Sequence, residues 1–429
     1  MKQRRRGLSP GELSVAIAEC QLAGAECFDD IQDVRADQAG AGLRAVAWTP
    51  SAATARQLAC RFKPSHIRAI ERGVARAGGE LDRRLGRDRS EDVTFDLDAT
   101  ETKVFGRRKR GTWRSRHGHL AHNSYVVTWA NRGRALTSEL KAGNQARIKA
   151  TESLRLLRRA KRLLPAEHGQ ITGRFDSGFY AVELMMGCRQ ERIRFTMSAT
   201  RTSVMWSKLS EIADDAWVDA IDMKGAQIAE LPFCPESWKH EPLRLIVRRV
   251  PVTAQEIQAT SPRARRRTTI PPEQLAMVLG GELDCTFAYS FILTDIPQDE
   301  MNTAQIERFH RQRAQIEERF KDAKLGHALC HLPSGNLNAN RLWLCCCLLA
   351  VNLSAFICDI SPAAAASGQA VDQDTPQRRH AKALRRILLC VPGRIVRTAR
   401  KTIVRLAQGF PHFELLSATY HAALALPGR

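Results

Sequence analysis

His310–Gly326, HRQRAQIEERFKDAKLG, is the stretch from which the rest of the chain is read. No Pro and no internal Gly interrupts it before Gly326, and Arg, Gln, Glu, Lys and Ala dominate, so the segment predicts a helix. At roughly 100° per residue, Phe309, Ile316, Phe320 and Ala323 fall on one narrow stripe, a face to bury. His310, Arg313, Glu317 and Lys324 fall within about 60° of one another beside that stripe. Arg311, Gln315 and Asp322 point away, towards solvent. One carboxylate therefore stands at the edge of a core, flanked by cations that could hold phosphates. Taken alone, the pattern equally describes an ordinary amphipathic helix with i,i+4 pairs such as Arg313–Glu317.

The surrounding chain narrows this. A length of 429 residues implies two or three domains and ample material for a core. Lys and Arg number 66 against 45 Asp and Glu, giving a net charge of +21 and a pI near 10.0. Such a charge points to a polyanionic partner, nucleic acid being the commonest. A basic ribosomal or membrane-surface protein would share it, so charge alone does not select an enzyme. The 12 cysteines contain no CxxC pair, and Cys345, Cys346 and Cys347 lie inside an apolar run as small hydrophobes. His327, Cys330 and His331 lack the second half-site that a zinc centre needs. MKQRRRGLSP is not followed by an apolar segment of the kind a secretion signal requires. Leu342–Cys358 contains Asn352 and Ser354 and falls short of the roughly 20 residues of a membrane span, which predicts a buried helix. A reducing, cytoplasmic and nucleoid-associated setting is expected.

Residues 1–90 form a helical region. Within it, Ser51–Arg76 predicts two short helices around a KPS turn, a pattern that DNA-reading helix pairs share with many small bundles. Residues 91–199 change texture. Val93–Leu97 predicts a strand leading into Asp96-Leu97-Asp98-Ala99-Thr100, with Asp96 and Asp98 on one face. Tyr125–Trp129 and Ala135–Leu140 read as strands around a turn at Ala130–Gly133. Lys149–Leu164 is a basic helix ended by Pro165. Gln170–Phe175 is a strand running into Asp176-Ser177-Gly178-Phe179. That Asp either caps the following helix, Phe179–Cys188, or lies where open α/β sheets bind ligands. Arg192–Ser198 adds a strand. The order predicts an α/β fold, a mixed sheet with flanking helices.

Residues 200–300 read as a β-rich insertion, with alternating runs at Leu243–Val250 and Cys285–Leu293. Ser261–Pro272 is an exposed linker carrying Arg263, Arg265, Arg266 and Arg267. Residues 301–360 bring the opening helix and the buried helix. Residues 361–429 hold a linker, Ser361–Pro376, and a basic tail. Between Gln377 and Arg405 the tail has ten Lys or Arg and no acid, which predicts two basic helices broken at Pro392-Gly393 and a surface for backbone phosphates.

Asp98, Asp176 and Glu317 thus come from a first strand, a fourth strand and a late helix. Carboxylates converging from separate elements suit Mg²⁺, a hard ion that keeps waters for substrate phosphates. Two such ions about 4 Å apart can clamp both oxygens of an in-line phosphoryl displacement.

At this point the chain resembles insertion-sequence DDE transposases of the DDE domain group 1 type. The family's Y-x2-R-x3-E-x6-K signature reads here as His310, Arg313, Glu317 and Lys324, with His in place of Tyr. Its D-x-D-x-T strand is similar to Asp96–Thr100, Asp98 being the better match to the catalytic position. Its R-x-D-S-G-F is similar to Arg174–Phe179, and Leu140–Asn144 and His331–Asn340 also look like the family. The resemblance covers about residues 90 to 405. It implies a ribonuclease H-like fold and a Mg²⁺-dependent (or Mn²⁺-dependent) transposase acting on terminal inverted repeats. It also implies double-stranded DNA as partner and a homodimer in the synaptic complex. Asp98, Asp176 and Glu317 would be catalytic metal ligands, while His310, Arg313 and Lys324 would contact DNA. A non-catalytic DNA-binding derivative and a nuclease of the same fold remain as alternatives.

Overall fold

Alternation along the first strand settles which side of the sheet carries the chemistry. In β1, Val93–Lys103, the side chains of Val93, Phe95 and Leu97 enter one apolar core. Asp96, Asp98, Thr100 and Thr102 therefore face the opposite side, as a two-residue period requires. The strand runs beyond the apolar segment because Thr100–Lys103 keep pairing with a neighbour.

The computed structural model describes residues 7–46, 48–106, 109–115, 118–141, 148–261, 266–361, 379–399 and 401–427. The N-terminal helices are α1 (Pro10–Ala23), α2 (Ile31–Ala36), α3 (Ala52–Ala59) and α4 (Pro64–Arg84). After β1 come β2 (Trp113–Arg114), β3 (Leu120–Trp129), β4 (Arg134–Lys141), α5 (Ala150–Lys161), β5 (Ile171–Phe175), α6 (Val182–Gln190) and β6 (Ile193–Ser198). Then follow α7 (Ser203–Ser207), β7 (Val218–Asp219), β8 (Gln227–Phe233), β9 (Leu243–Thr253), α8 (Ala254–Gln258), α9 (Pro272–Gly280) and β10 (Cys285–Thr294). The last part holds α10 (Thr303–Arg311), α11 (Gln315–Gly326), α12 (Leu337–Ile360), α13 (Ala381–Leu384), β11 (Gly393–Arg397), β12 (Thr402–Leu406) and α14 (Phe413–Ala425).

Ten strands form one mixed sheet in the order β2-β3-β1-β5-β6-β10-β9-β8-β7, with β4 also on β3. β1, β5 and β6 are parallel, and β3 runs antiparallel to β1. One face packs on α5 and α6 through Phe95, Leu97, Leu157, Phe175, Leu184 and Phe195. The other packs on α1, α3, α11 and α12 through Val126, Leu140, Ile17, Ala55, Phe320 and Trp343.

At the centre of that second layer lies α12, which among the described residues is the helix long and apolar enough to cross a membrane. Here it is a core helix: Trp343, Cys346 and Cys347 are fully buried, and the Trp343 indole donates to the Ala328 carbonyl at 3.0 Å. Its polar residues have partners. Asn352 accepts from the Ala135 amide at 2.8 Å and donates to the Ala135 carbonyl at 2.9 Å, continuing the ladder of β4. Ser354 Oγ lies 2.9 Å from His327 Nε2, which ties this buried histidine into the core.

Three differences from the sequence reading have physical causes. The single helix expected over 310–326 is two, with a tight 3-10 turn at Gln312–Ala314 between α10 and α11. Ile306 packs with Ile246, Ile292 and Ile296, whereas Ile316, Phe320 and Ala323 pack with α12. One straight helix cannot present both stripes at the right angles, so packing overrides propensity. Accordingly Arg311 and Asp322 do not stand free in solvent. Arg311 bonds Glu307 and the Ile221 carbonyl, and Asp322 accepts from the Ala381 amide at 2.9 Å.

Secondly, residues 200–300 continue the main sheet, because Thr196–Ser198 of β6 pair with Ile292–Thr294 of β10. Thirdly, the second basic helix expected after Pro392-Gly393 is the hairpin β11–β12, in which Ile395 faces Val404 and Val396 faces Ile403. β-Branched residues at paired positions favour strand there. The linker at 362–376 and the residues Ala142–Asn144, Arg263 and Arg265 lie outside the described residues.

α4, β4 and α12 are joined by a buried charge network. Arg134 donates to Asp82 at 2.6 and 2.8 Å and to Asp359 at 2.8 Å, and its guanidinium lies 4.8 Å from the Phe356 ring centroid. Arg87 also pairs with both carboxylates, at 3.2 and 3.0 Å, so Arg134→Ala removes one of two cations and should lower stability by about 2–3 kcal/mol. Urea unfolding measures it; a loss under about 1 kcal/mol would show that the network is not needed for docking α4.

Candidate active site

The ladder between β1 and β5 aligns Leu97 with Phe175, so the next residues, Asp98 and Asp176, are neighbours at the carboxyl end of β5. Adjacent strands stand about 4.8 Å apart, which brings two acids side by side. Asp176 also caps the 3-10 turn Ser177–Phe179, accepting from the Gly178 amide at 2.8 Å. Asp176 thus caps this short turn and not the helix expected over Phe179–Cys188, since α6 starts at Val182 behind Ala181, and it sits at a strand's carboxyl end.

Glu317 occupies the first turn of α11, exposed, and α11 packs on β1. Asp98 feels the charges of the other two acids. Asp98 is buried and its carboxyl is pushed up to about 6, chiefly by desolvation and further by the charges of Asp176 and Glu317. The opposing influence is Arg313, whose Nη1 donates to Asp98 Oδ2 at 2.9 Å. The Ala99 amide donates to Oδ1 at 2.7 Å. Arg313 thus lies on the acid cluster itself.

Lys324 is half-buried on the same helix. Burial lowers its pKa, while the charge of Glu101 on β1 acts in the other direction. It lies a turn and more beyond Glu317, on the α11 surface that faces β1.

His310 departs from expectation. Its ring is buried, Nδ1 lies 2.9 Å from Thr196 Oγ1 and Nε2 lies 2.8 Å from Ser198 Oγ. Desolvation first, then the cations Arg313, Arg174 and Arg248, push it down to about 3, so it is neutral at physiological pH. Both ring nitrogens are engaged with β6 and neither faces solvent. The expected phosphate contact would require the ring to leave these hydroxyls, through which His310 pins α10 to the sheet.

One pair central to the site was not singled out from the sequence. Asp96 and Arg174 are direct partners in the β1–β5 ladder, and Arg174 Nε and Nη2 donate to the two Asp96 oxygens at 2.6 and 2.8 Å. Arg174 Nη1 also donates to the Phe309 carbonyl at 2.9 Å, with its guanidinium 5.0 Å from the Phe309 ring centroid. The pair couples the two acid-bearing strands to the end of α10. The signal was present in the spacing: Asp96-x-Asp98 and Arg174-x-Asp176 put all four side chains on one face.

Among the described residues, no three His, Cys, Asp or Glu side chains stand close enough together to hold a metal ion as they are. The donor chemistry still fits a hard divalent cation: three carboxylates from three elements share one field, and the most buried of them is balanced by a cation. Closing round an ion requires Arg313 to leave Asp98 Oδ2.

Comparisons with known proteins come from three directions. A search of curated proteins gives no match. Among solved structures, the chain is similar to the piggyBac transposase in a cryo-EM synaptic complex with hairpin DNA, at 8% identity and a TM-score of 0.42, covering 89% of this chain and 73% of that one. Residues 16–427 match the family described as transposase DDE domain group 1. That match runs through nearly the whole sequence, and the chain belongs to the transposase DDE domain group 1 family.

Proposed function

We propose that this chain is an insertion-sequence DNA transposase that cuts at terminal inverted repeats and joins the freed 3′-hydroxyls to target DNA. The observation carrying this reading is the placing of Asp98 and Asp176 side by side on two adjacent parallel strands, with Glu317 near enough for its charge to act on Asp98. The order β4-β3-β1-β5-β6, with β3 alone reversed, supports a ribonuclease H-like core. DDE transposases generally use divalent metal ions, here Mg²⁺ or Mn²⁺. A pair of such ions would activate the attacking oxygen and steady the leaving one.

The chain's own residues have separable tasks. Asp98 and Asp176 would hold one ion between them and Glu317 would close a second position from the helix. Arg313, released from Asp98, is a bidentate donor within reach of an incoming phosphate. Lys324 adds a point charge further along the same path. His310, neutral and buried, positions α10, so the arginine three residues on keeps its orientation. A homodimer would bring two DNA ends together, as joining requires.

A second reading, a DNA-binding protein that does not cut, draws on one observation: the Arg313 guanidinium is seated on Asp98 Oδ2 at 2.9 Å. Cleavage and joining of a duplex that carries the element's end separate the two readings. The proposed function requires Mg²⁺-dependent joined products. Cut but unjoined products indicate a nuclease, and binding without cutting indicates the second reading.

Asp98→Ala, Asp176→Ala and Glu317→Ala should each lower cleavage by about 100-fold or more while leaving duplex binding within about threefold. Near-normal cleavage by any one of them removes that residue from the site.

The buried Asp98 carboxyl also fixes a pH dependence. Its folded pKa of about 6 lies above the 3.8 of a free aspartate side chain. Its contribution to stability is therefore fully present below 3.8 and lost as pH rises through about 6. Asp98→Asn cannot titrate. In EDTA, wild type should lose thermal stability relative to this variant between about pH 4 and pH 7. A difference independent of pH would contradict the burial of an ionisable carboxyl there.

A further inference from the structure

A cleft of about 460 Å³ opens between α4 and the loop that follows α5. Its floor is formed by Trp129, the start of β4 and the Asn352–Phe356 side of α12. Trp129 pairs with Phe95 near the beginning of β1, and Leu163–Ala166 precede β5. The cleft therefore lies towards the amino ends of β1 and β5, away from Asp98 and Asp176. From Asp98's partner Val126 to Trp129 the ladder runs about 10 Å.

Its charges are unbalanced. Six arginines line it against two glutamates, Glu71 and Glu80. Both glutamates are already engaged, Glu71 by Arg159 and Glu80 by Arg83 and Arg84. Arg72 and Arg76 on α4 and Arg162 after α5 are exposed and have no carboxylate or carbonyl partner among the described residues. Arg68, also exposed and unpartnered, extends the α4 row. At four-residue spacing, Arg68, Arg72 and Arg76 repeat about every 6 Å along one side of the helix. A regular row of unneutralised cations matches a regular row of anions.

A second observation is independent of charge. Gly79 lines the cleft from inside α4, and a Cβ added there would meet nothing within 4 Å. Glycine is unfavourable inside a helix, and among the described residues no neighbour requires it at this position. The bare backbone leaves this wall of the cleft open to close approach by a ligand.

We infer that this cleft is a second binding site for the sugar–phosphate backbone of duplex DNA, held by Arg72, Arg76 and Arg162 and separate from the carboxylate cluster. Duplex is favoured over single strand because the row offers no stacking platform. Trp129 is buried, and the Phe356 ring lies beneath Arg134. Contacts of this kind fix the path of the duplex and carry no sequence information. The inference does not rest on the acids being catalytic, since a protein that bound here and never cut would satisfy it.

The test uses the full chain in EDTA, so that cleavage plays no part, with a labelled duplex of arbitrary sequence and a single-stranded RNA of equal length. Arg72→Gln/Arg76→Gln/Arg162→Gln should weaken duplex binding about tenfold or more at low salt and make the log K against log salt slope shallower by about 2 to 3. Gly79→Gln, uncharged and at an open helix position, should melt close to wild type and also weaken duplex binding. An unchanged slope and affinity in the triple variant overturn the inference. A loss confined to the RNA overturns the assignment to duplex DNA. If the triple variant fails to fold, undiminished duplex binding by Gly79→Gln does the same.

Discussion

The register between β1 and β5 is the constraint on which the remainder depends. It sets Asp96 against Arg174, and by doing so sets Asp98 beside Asp176 one step further along. A buried ion pair of this kind contributes little net stability, because desolvation offsets attraction. What it supplies is alignment. A one-residue slip of β5 would separate Arg174 from Asp96, turn the Asp176 side chain to the other face and release the Phe309 carbonyl at the end of α10. The same two hydrogen-bonded strands thus decide the position of two acids directly and of the third through the helix they hold.

The third acid reaches the site through a bend. α10 is fixed by His310 on β6 and by Glu307, fully buried with Arg248. α11 is fixed by Ile316 and Phe320 in the other core and, at its far end, by the C-terminal segment. There Arg385 donates to the Gly326 carbonyl, and a Cβ on Gly326 would come within 2.4 Å of the Ala381 Cβ. Glu317 stands just past the turn between the two anchored helices. This leaves three carboxylates close enough to raise the most buried one, a charge repulsion that Arg313 offsets in the absence of metal. Acids kept ionised against that repulsion are a stored demand for cations, which is what a phosphoryl-transfer site needs.

Much of this was legible in the sequence, for identifiable reasons. β1, β3, β4, β5 and β6 alternate or carry β-branched residues between clear turn signals, and β5 ends just before Asp176, whereas β1 runs on past Asp98 to Lys103. Glu317 was legible because Ile316, Phe320 and Ala323 fix its face. The break before Gln315 was not, since no Pro or Gly marks it and its cause is two cores at different angles. The role of Asp96 and Arg174 needs strand register, which a single sequence does not print. His310 was placed with the cations that could hold phosphates because its partners, Thr196 and Ser198, lie over a hundred residues away on β6. The tail's hairpin was hidden by its charge: Arg394, Arg397 and Arg405 read as a helical basic face, but Ile395, Val396, Ile403 and Val404 pair as strands.

The central claim is that Asp98, Asp176 and Glu317 form one divalent-metal site from which Arg313 is displaced. A crystal grown with Mn²⁺ and measured at its absorption edge tests this most directly. An anomalous peak about 2.0–2.3 Å from oxygens of Asp98 and Asp176 is expected, with the Arg313 guanidinium withdrawn from Asp98. No peak at those acids at millimolar Mn²⁺, with Arg313 still seated on Asp98 Oδ2, would contradict it.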